Sequence, residues 1–121
     1  MKIIEITAKH FTIDSKIRSY IERKTQKLID YIPRHARKSA RISVKITKNE
    51  ARGAAQLECE MILNLPNRQL VAKESKDGVL AAIDGTEEKM RGQIRKYKVE
   101  LEKAREENGI LNRVKAVLRR R

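Results

Sequence analysis

The spacing of apolar residues changes period along the chain, and its longest regular stretch constrains the fold most. Val79, Ile83, Thr86, Met90, Ile94, Tyr97 and Leu101 recur at threes and fours, which over about six turns marks one face of a long α-helix. Such a stripe has to be laid on a broad apolar surface. The preceding segments supply one. In "ARISVKITK" Ile42, Val44 and Ile46 alternate with Arg41, Ser43, Lys45 and Thr47, and in "QLECEMIL" Leu57, Cys59, Met61 and Leu63 face away from Glu58 and Glu60. Both read as half-buried strands, and "QLVAKES" as another. The turn-rich "NEARGAA" and "NLPNR" separate them. In the second, Pro66 pre-sets one turn dihedral and Asn67 tolerates left-handed backbone.

The N-terminal "KIIEITA", residues 2–8, reads as a further strand with Ile4, Ile6 and Ala8 on its inner face and Ile3 on the other. Ile17, Ile21, Leu28 and Ile32, with Tyr20 and Tyr31 at the edges, mark a helix over about residues 15–32, with Asp14 as N-cap and Pro33 as its stop. The order β-α-β-β-β-α predicts an α+β fold, a mainly antiparallel four-stranded sheet with two helices packed on one face. Residues 1–103 form the expected domain. Residues 104–121, "AREENGILNRVKAVLRRR", read as a basic tail of six cations and two acids, broken at Gly109 and helical in part.

Charge narrows the partner. Twenty-nine Lys and Arg against sixteen Asp and Glu leave +13, a sign that suits a phosphate polyanion. Aromatic residues make up 3%, too few for base-stacking platforms. The densest cations lie in "KMRGQIRKYK", where Lys89, Arg91, Arg95, Lys96 and Lys98 stand without an acid. Like charges at helical spacing repel by a few tenths of a kcal/mol per pair, and a glycine such as Gly92 costs roughly 1 kcal/mol against alanine.

On a helical wheel Arg91, Arg95 and Lys98 form one row, and Lys89, Gln93 and Lys96 another. Ala81, Gly85 and Gly92 lie between them, a floor of small residues that would let a phosphate backbone approach. The first helix adds Arg18, Arg23 and Lys27 on its outer side. Lys24 falls on the apolar side, either snorkelling past the core edge or aimed into a crevice between the helices. Charge runs are usually solvated faces, but here the interleaving acids are missing.

Catalytic patterns are lacking. His10 and His35 have no nucleophile or carboxylate at a diagnostic spacing, Cys59 sits among core positions, and Glu58 and Glu60 fit a solvated strand face. No phosphate-cradling glycine loop, zinc pattern or serine elbow occurs, so neither an enzyme nor a cofactor is expected. The lone cysteine allows no internal disulfide. Without a secretory signal or a run of ~20 apolar residues, the expected location is the cytoplasm, away from membranes.

"LAAIDG" at 80–85, followed by Lys89, Gln93, Lys96 and Lys98, is preceded by "PNRQLVA" and, earlier, by "IRSYIERKTQKL". In this order the segments resemble the short ribosome hibernation factors, the family of the hibernation-promoting factor and the ribosome-associated inhibitor, over about residues 1–103. The resemblance implies a domain lodged in the small ribosomal subunit, where it overlaps the path of messenger and transfer RNA and inhibits translation under stress. It implies RNA-facing cations at Arg18, Lys24, Lys27, Lys89, Lys96 and Lys98. Three positions depart from the family pattern: Leu80 replaces a tyrosine, Gly92 an arginine and Thr25 a leucine. Longer relatives add a C-terminal domain that pairs ribosomes, and this chain is expected to lack it and to act as a monomer. The alternative is a general double-stranded RNA-binding module, which reads shape and phosphate but concentrates its lysines near the start of its last helix. An enzyme or regulator acting on acidic substrates or on the transcription machinery has only charge in its favour.

Overall fold

A computed structural model describes residues 1–51 and 54–119. The elements are β1 (Lys2–Lys9), α1 (Ser15–Leu28), α2 (Arg34–Arg37), β2 (Arg41–Ala51), β3 (Ala54–Leu65), β4 (Arg68–Lys76) and α3 (Val79–Arg119). The four strands form one sheet in the order β1-β2-β3-β4, with β1 parallel to β2 and the other pairs antiparallel. This is the β-α-β-β-β-α arrangement expected from the periods. Register carries the alternation across the sheet: Ile42, Val44 and Ile46 stand opposite Leu63, Met61 and Cys59. These residues are buried together with Ile21 and Leu28 of α1 and Ile83, Met90 and Ile94 of α3.

Several local features arise from single residues. The Asp14 carboxylate accepts from the Ile17 amide at 2.8 Å and caps α1. Asn67 adopts φ 62° in the turn between β3 and β4. Thr25, in place of an aliphatic residue, is fully buried yet satisfied, since its hydroxyl donates to the Ile21 carbonyl at 2.8 Å. The buried Thr86 hydroxyl lies 2.7 Å from the Ala82 carbonyl and 3.0 Å from that of Cys59, tying α3 to β3. Burial pushes the Cys59 thiol up to about 12, in keeping with an inert core residue.

The structure departs from the sequence expectations at five places. In β1 the register with β2 shifts between Ile3 and Glu5, so Ile3 joins Ile6 against the core and Ile4 turns outward, 55% exposed. A bulge displaces simple alternation in this way. Helix α1 stops at Leu28, followed by a 3-10 turn over Ile29–Tyr31 and an extended Ile32, the conformation that a following proline enforces. The single turn α2 then appears where no element was expected. Strands β2 and β3 run into "NEARGAA" as far as the Ala51 and Ala54 pair, and residues 52 and 53 of that expected turn lie outside the described residues.

Finally, α3 does not break at Gly109 but continues to Arg119. A glycine lowers helix stability by only about 1 kcal/mol, which good helix formers around it can offset. From Glu102 to Leu118 the helix is exposed, with Ile110, Leu111, Val114, Val117 and Leu118 forming an uncovered apolar stripe. No helix among the described residues is long and apolar enough to cross a membrane.

Candidate nucleic-acid interface

Helices α1 and α3 lie side by side on one face of the sheet and meet through a polar cluster. The Tyr20 hydroxyl donates to Asp84 Oδ1, and Lys24 Nζ stands 3.1 Å from the same oxygen. Lys24 Nζ also lies 5.5 Å from the centre of the Tyr20 ring. Lys24 is therefore directed into the crevice between the helices, which decides between its two sequence-based placements. The hydrogen bond from Tyr20, then Lys24, holds the Asp84 carboxyl below its usual range. The same contacts with Asp84 raise both the Tyr20 phenol and the Lys24 ammonium.

Further along, Arg91 and Arg95 lie 5.9 and 5.6 Å from the centre of the Tyr31 ring, so the end of the 3-10 turn seats two guanidiniums of α3. Arg91 Nε is 3.1 Å from the buried Glu87 carboxylate, an ion pair lacking hydrogen-bond geometry. Between the helices runs a groove of about 220 Å³ lined by Lys24, Lys27, Asp30, Tyr31, Glu87 and Arg91.

The second row serves the sheet. Lys89 Nζ lies 2.8 Å from Glu74 of β4 and donates to the Lys73 carbonyl at 3.0 Å, while the Gln93 amide donates to the Val71 carbonyl. Pairing with Lys89 lowers the Glu74 carboxyl. Strand β4 is an edge, and these two side chains occupy carbonyls that would otherwise offer themselves to another strand. Gly85 likewise is a close-packing position: a Cβ there would sit 2.8 Å from Glu74 Cγ. Gly92 has nothing within 4 Å and remains open, with exposed Ala81 on the same outward face.

The nine cations singled out from the sequence thus separate into two groups. Lys24, Lys89 and Arg91 face carboxylates of the chain itself. Arg18, Arg23, Lys27, Arg95, Lys96 and Lys98 are exposed, with no carboxylate within 4.0 Å among the described residues. Arg23 rests 5.5 Å from the Tyr20 ring centre. Sequence reasoning missed Tyr20, Tyr31, Asp84 and Glu87 as organisers of this surface. Tyrosines at both edges of the first helix and two acids at i, i+3 in the long one were the available signals. Among the described residues no group of three or more His, Cys, Asp or Glu could hold a metal ion.

Residues 4–102 match the family described as sigma 54 modulation protein / S30EA ribosomal protein. The ribosome hibernation promotion factor of Staphylococcus aureus (strain COL) is 33% identical over 105 residues, covering 87% of this chain. The chain spans about half, 53%, of that relative's length. Two solved structures share the fold. The N-terminal domain of Thermus thermophilus Protein Y superposes with a TM-score of 0.65 at 23% identity, over 80% of this chain and 99% of that one. A ribosomal subunit interface protein from Coxiella burnetii gives 0.66 at 21% identity, over 82% and 99%.

Proposed function

Because the chain belongs to the sigma 54 modulation protein / S30EA ribosomal protein family, we propose that it is a cytoplasmic ribosome hibernation factor. It binds the small subunit as a monomer through residues 1–103 and blocks translation by occupying the path of messenger and transfer RNA. No catalytic step is part of this role. The carrying observation is the set of exposed cations, without a carboxylate partner among the described residues, on two helices joined by Tyr20, Asp84 and Lys24. Arg18, Arg23 and Lys27 on α1, with Arg95, Lys96 and Lys98 on α3, are the side chains left to neutralise phosphates. Lys24 and Arg91 border the groove with their charge already shared, and Lys89 supports the scaffold. The 33% identity to a hibernation promotion factor supports the same conclusion.

If about six phosphates are neutralised, affinity for small subunits falls by roughly 10³ between 50 and 200 mM salt. Co-sedimentation with purified subunits over that range tests it, and a protein left in the supernatant at low salt refutes it. Reversing Arg95 and Lys96 to Glu should weaken pelleting by about tenfold or more. The same reversal of Lys2 and Lys45, which the alternation places on the helix-free face of the sheet, should do less. Equal losses would remove the helices from the explanation, and preference for a plain RNA duplex over intact subunits would favour the general duplex binder.

A further inference from the structure

The groove between α1 and α3 does not end at Tyr31. Beyond it, the 3-10 turn and α2 form a corner over α3 that encloses a cavity of about 460 Å³, which shares Asp30 with the groove. Ile32, Pro33 and Leu101 supply its apolar lining. The half-buried Arg37 braces its wall from within, its Nε donating to the Ile32 carbonyl at 2.9 Å. The remaining cations, Arg34 of α2 with Lys98 and Arg105 of α3, are exposed and have no carboxylate within 4.0 Å among the described residues. Neither Asp30 nor Glu102, the acids of the cavity, is ion-paired among those residues.

We propose that this corner is a second phosphate-binding site, in which Arg34, Lys98 and Arg105 hold the backbone of the same RNA strand that lies over the interhelical groove. The inference rests on the proposed ribosomal RNA partner and extends its footprint beyond residue 103. Two observations carry it. First, the cavity continues the groove through Asp30, and around Asp30 and Glu102 it sets four cations, Arg34, Arg37, Lys98 and Arg105, so an extended polyanion leaving the groove meets a lining that is positive on balance. Second, Arg91, Arg95, Lys98 and Arg105 stand at i, i+4, i+7 and i+14 of an unbroken helix, a row about 21 Å long on the side of α3 that faces α1 and α2, in which Glu102 at i+11 is the one acid. The row reaches its full length because α3 passes Leu101 without a break; a helix ending near residue 103 would remove Arg105 from the wall opposite Arg34. An open cavity with cations spread along its rim fits a chain of phosphates better than one compact anion.

The test compares the full chain with R34E/R105E, using purified small ribosomal subunits as probe and KCl from 50 to 300 mM. The expected result is binding weakened about tenfold or more, with the slope of log affinity against log salt shallower by about 1.4 to 1.8. K2E/K45E, which changes net charge equally on the helix-free face, should keep nearly the wild-type slope. R34K/R105K should restore binding. Unfolding midpoints of all variants show that the fold is intact.

If R34E/R105E behaves like K2E/K45E, the second site is overturned while the ribosomal role stands. Weakened binding with an unchanged slope would mean contact with a ribosomal protein, and would also overturn it. If the wild-type chain fails to bind subunits, both proposals fall.

Discussion

Asp84 shows how one side chain can oppose a basic surface and organise it. It places a negative charge beside the proposed RNA-binding groove, yet it holds Tyr20 and Lys24 and so fixes the spacing of the helices. Its carboxyl is depressed, so its stabilising contribution is present above the ordinary carboxylate range near 4 and is lost as pH falls through the lowered value. Lys24 and Tyr20 are raised, so theirs is present below about 10 and lost as pH rises through the raised values. D84N should therefore lower the urea-unfolding free energy by about 1 kcal/mol across the neutral range, the modest size reflecting partial exposure. The difference from wild type should shrink below about pH 4 and above about pH 10. Gly92 gives the opposite pairing of effects. G92A meets no neighbour and should raise stability by about 0.5–1 kcal/mol. If backbone approach matters at that position, it should also weaken binding to small subunits, measured by sedimentation. G85A should gain little, because its new methyl displaces Glu74 from Lys89.

At the scale of elements, α3 both braces the sheet and protects its edge. Replacing Lys89 and Gln93 with Ala uncovers the Val71 and Lys73 carbonyls, and concentration-dependent self-association by light scattering is the expected outcome. By contrast, ending the chain after Arg105 removes a segment that is exposed from Glu106 to Leu118, so the unfolding midpoint should stay within about 2 °C of the full chain by calorimetry. Which elements were legible depends on how their burial repeats. Ile42, Val44 and Ile46 alternate because β2 has one dry face, and Val79 to Leu101 recur at helical spacing because α3 lies on that face. The pattern at β1 misled because a bulge at Ile4 is a change of count that alternation cannot encode. A four-residue helix such as α2 is barely one turn, too short for the helical period to repeat and reveal it. In the site, the cations themselves were plain from composition. Their sorting was not, since Asp84 is remote in sequence from Tyr20 and Lys24, and no local spacing predicts such a pairing.

For the molecule as a whole, +13 on 121 residues makes encounter with a polyanion a matter of steering as well as grip. Association rates with small subunits, measured by stopped-flow fluorescence, should fall about tenfold between 50 and 200 mM salt. Once the encounter is made, the outline of the protein governs how it is held. Helix α3 has 41 residues, which makes it about 60 Å long, and roughly 27 Å of that extends past Leu101, exposed from Glu102 to Leu118. A rod fixed at one end turns small rotations into travel: tilting it by about 10° where it leaves the body moves its tip about 5 Å. Whatever fastens that mast aims the slab at its base, and a firm hold on the slab tells the mast where to point.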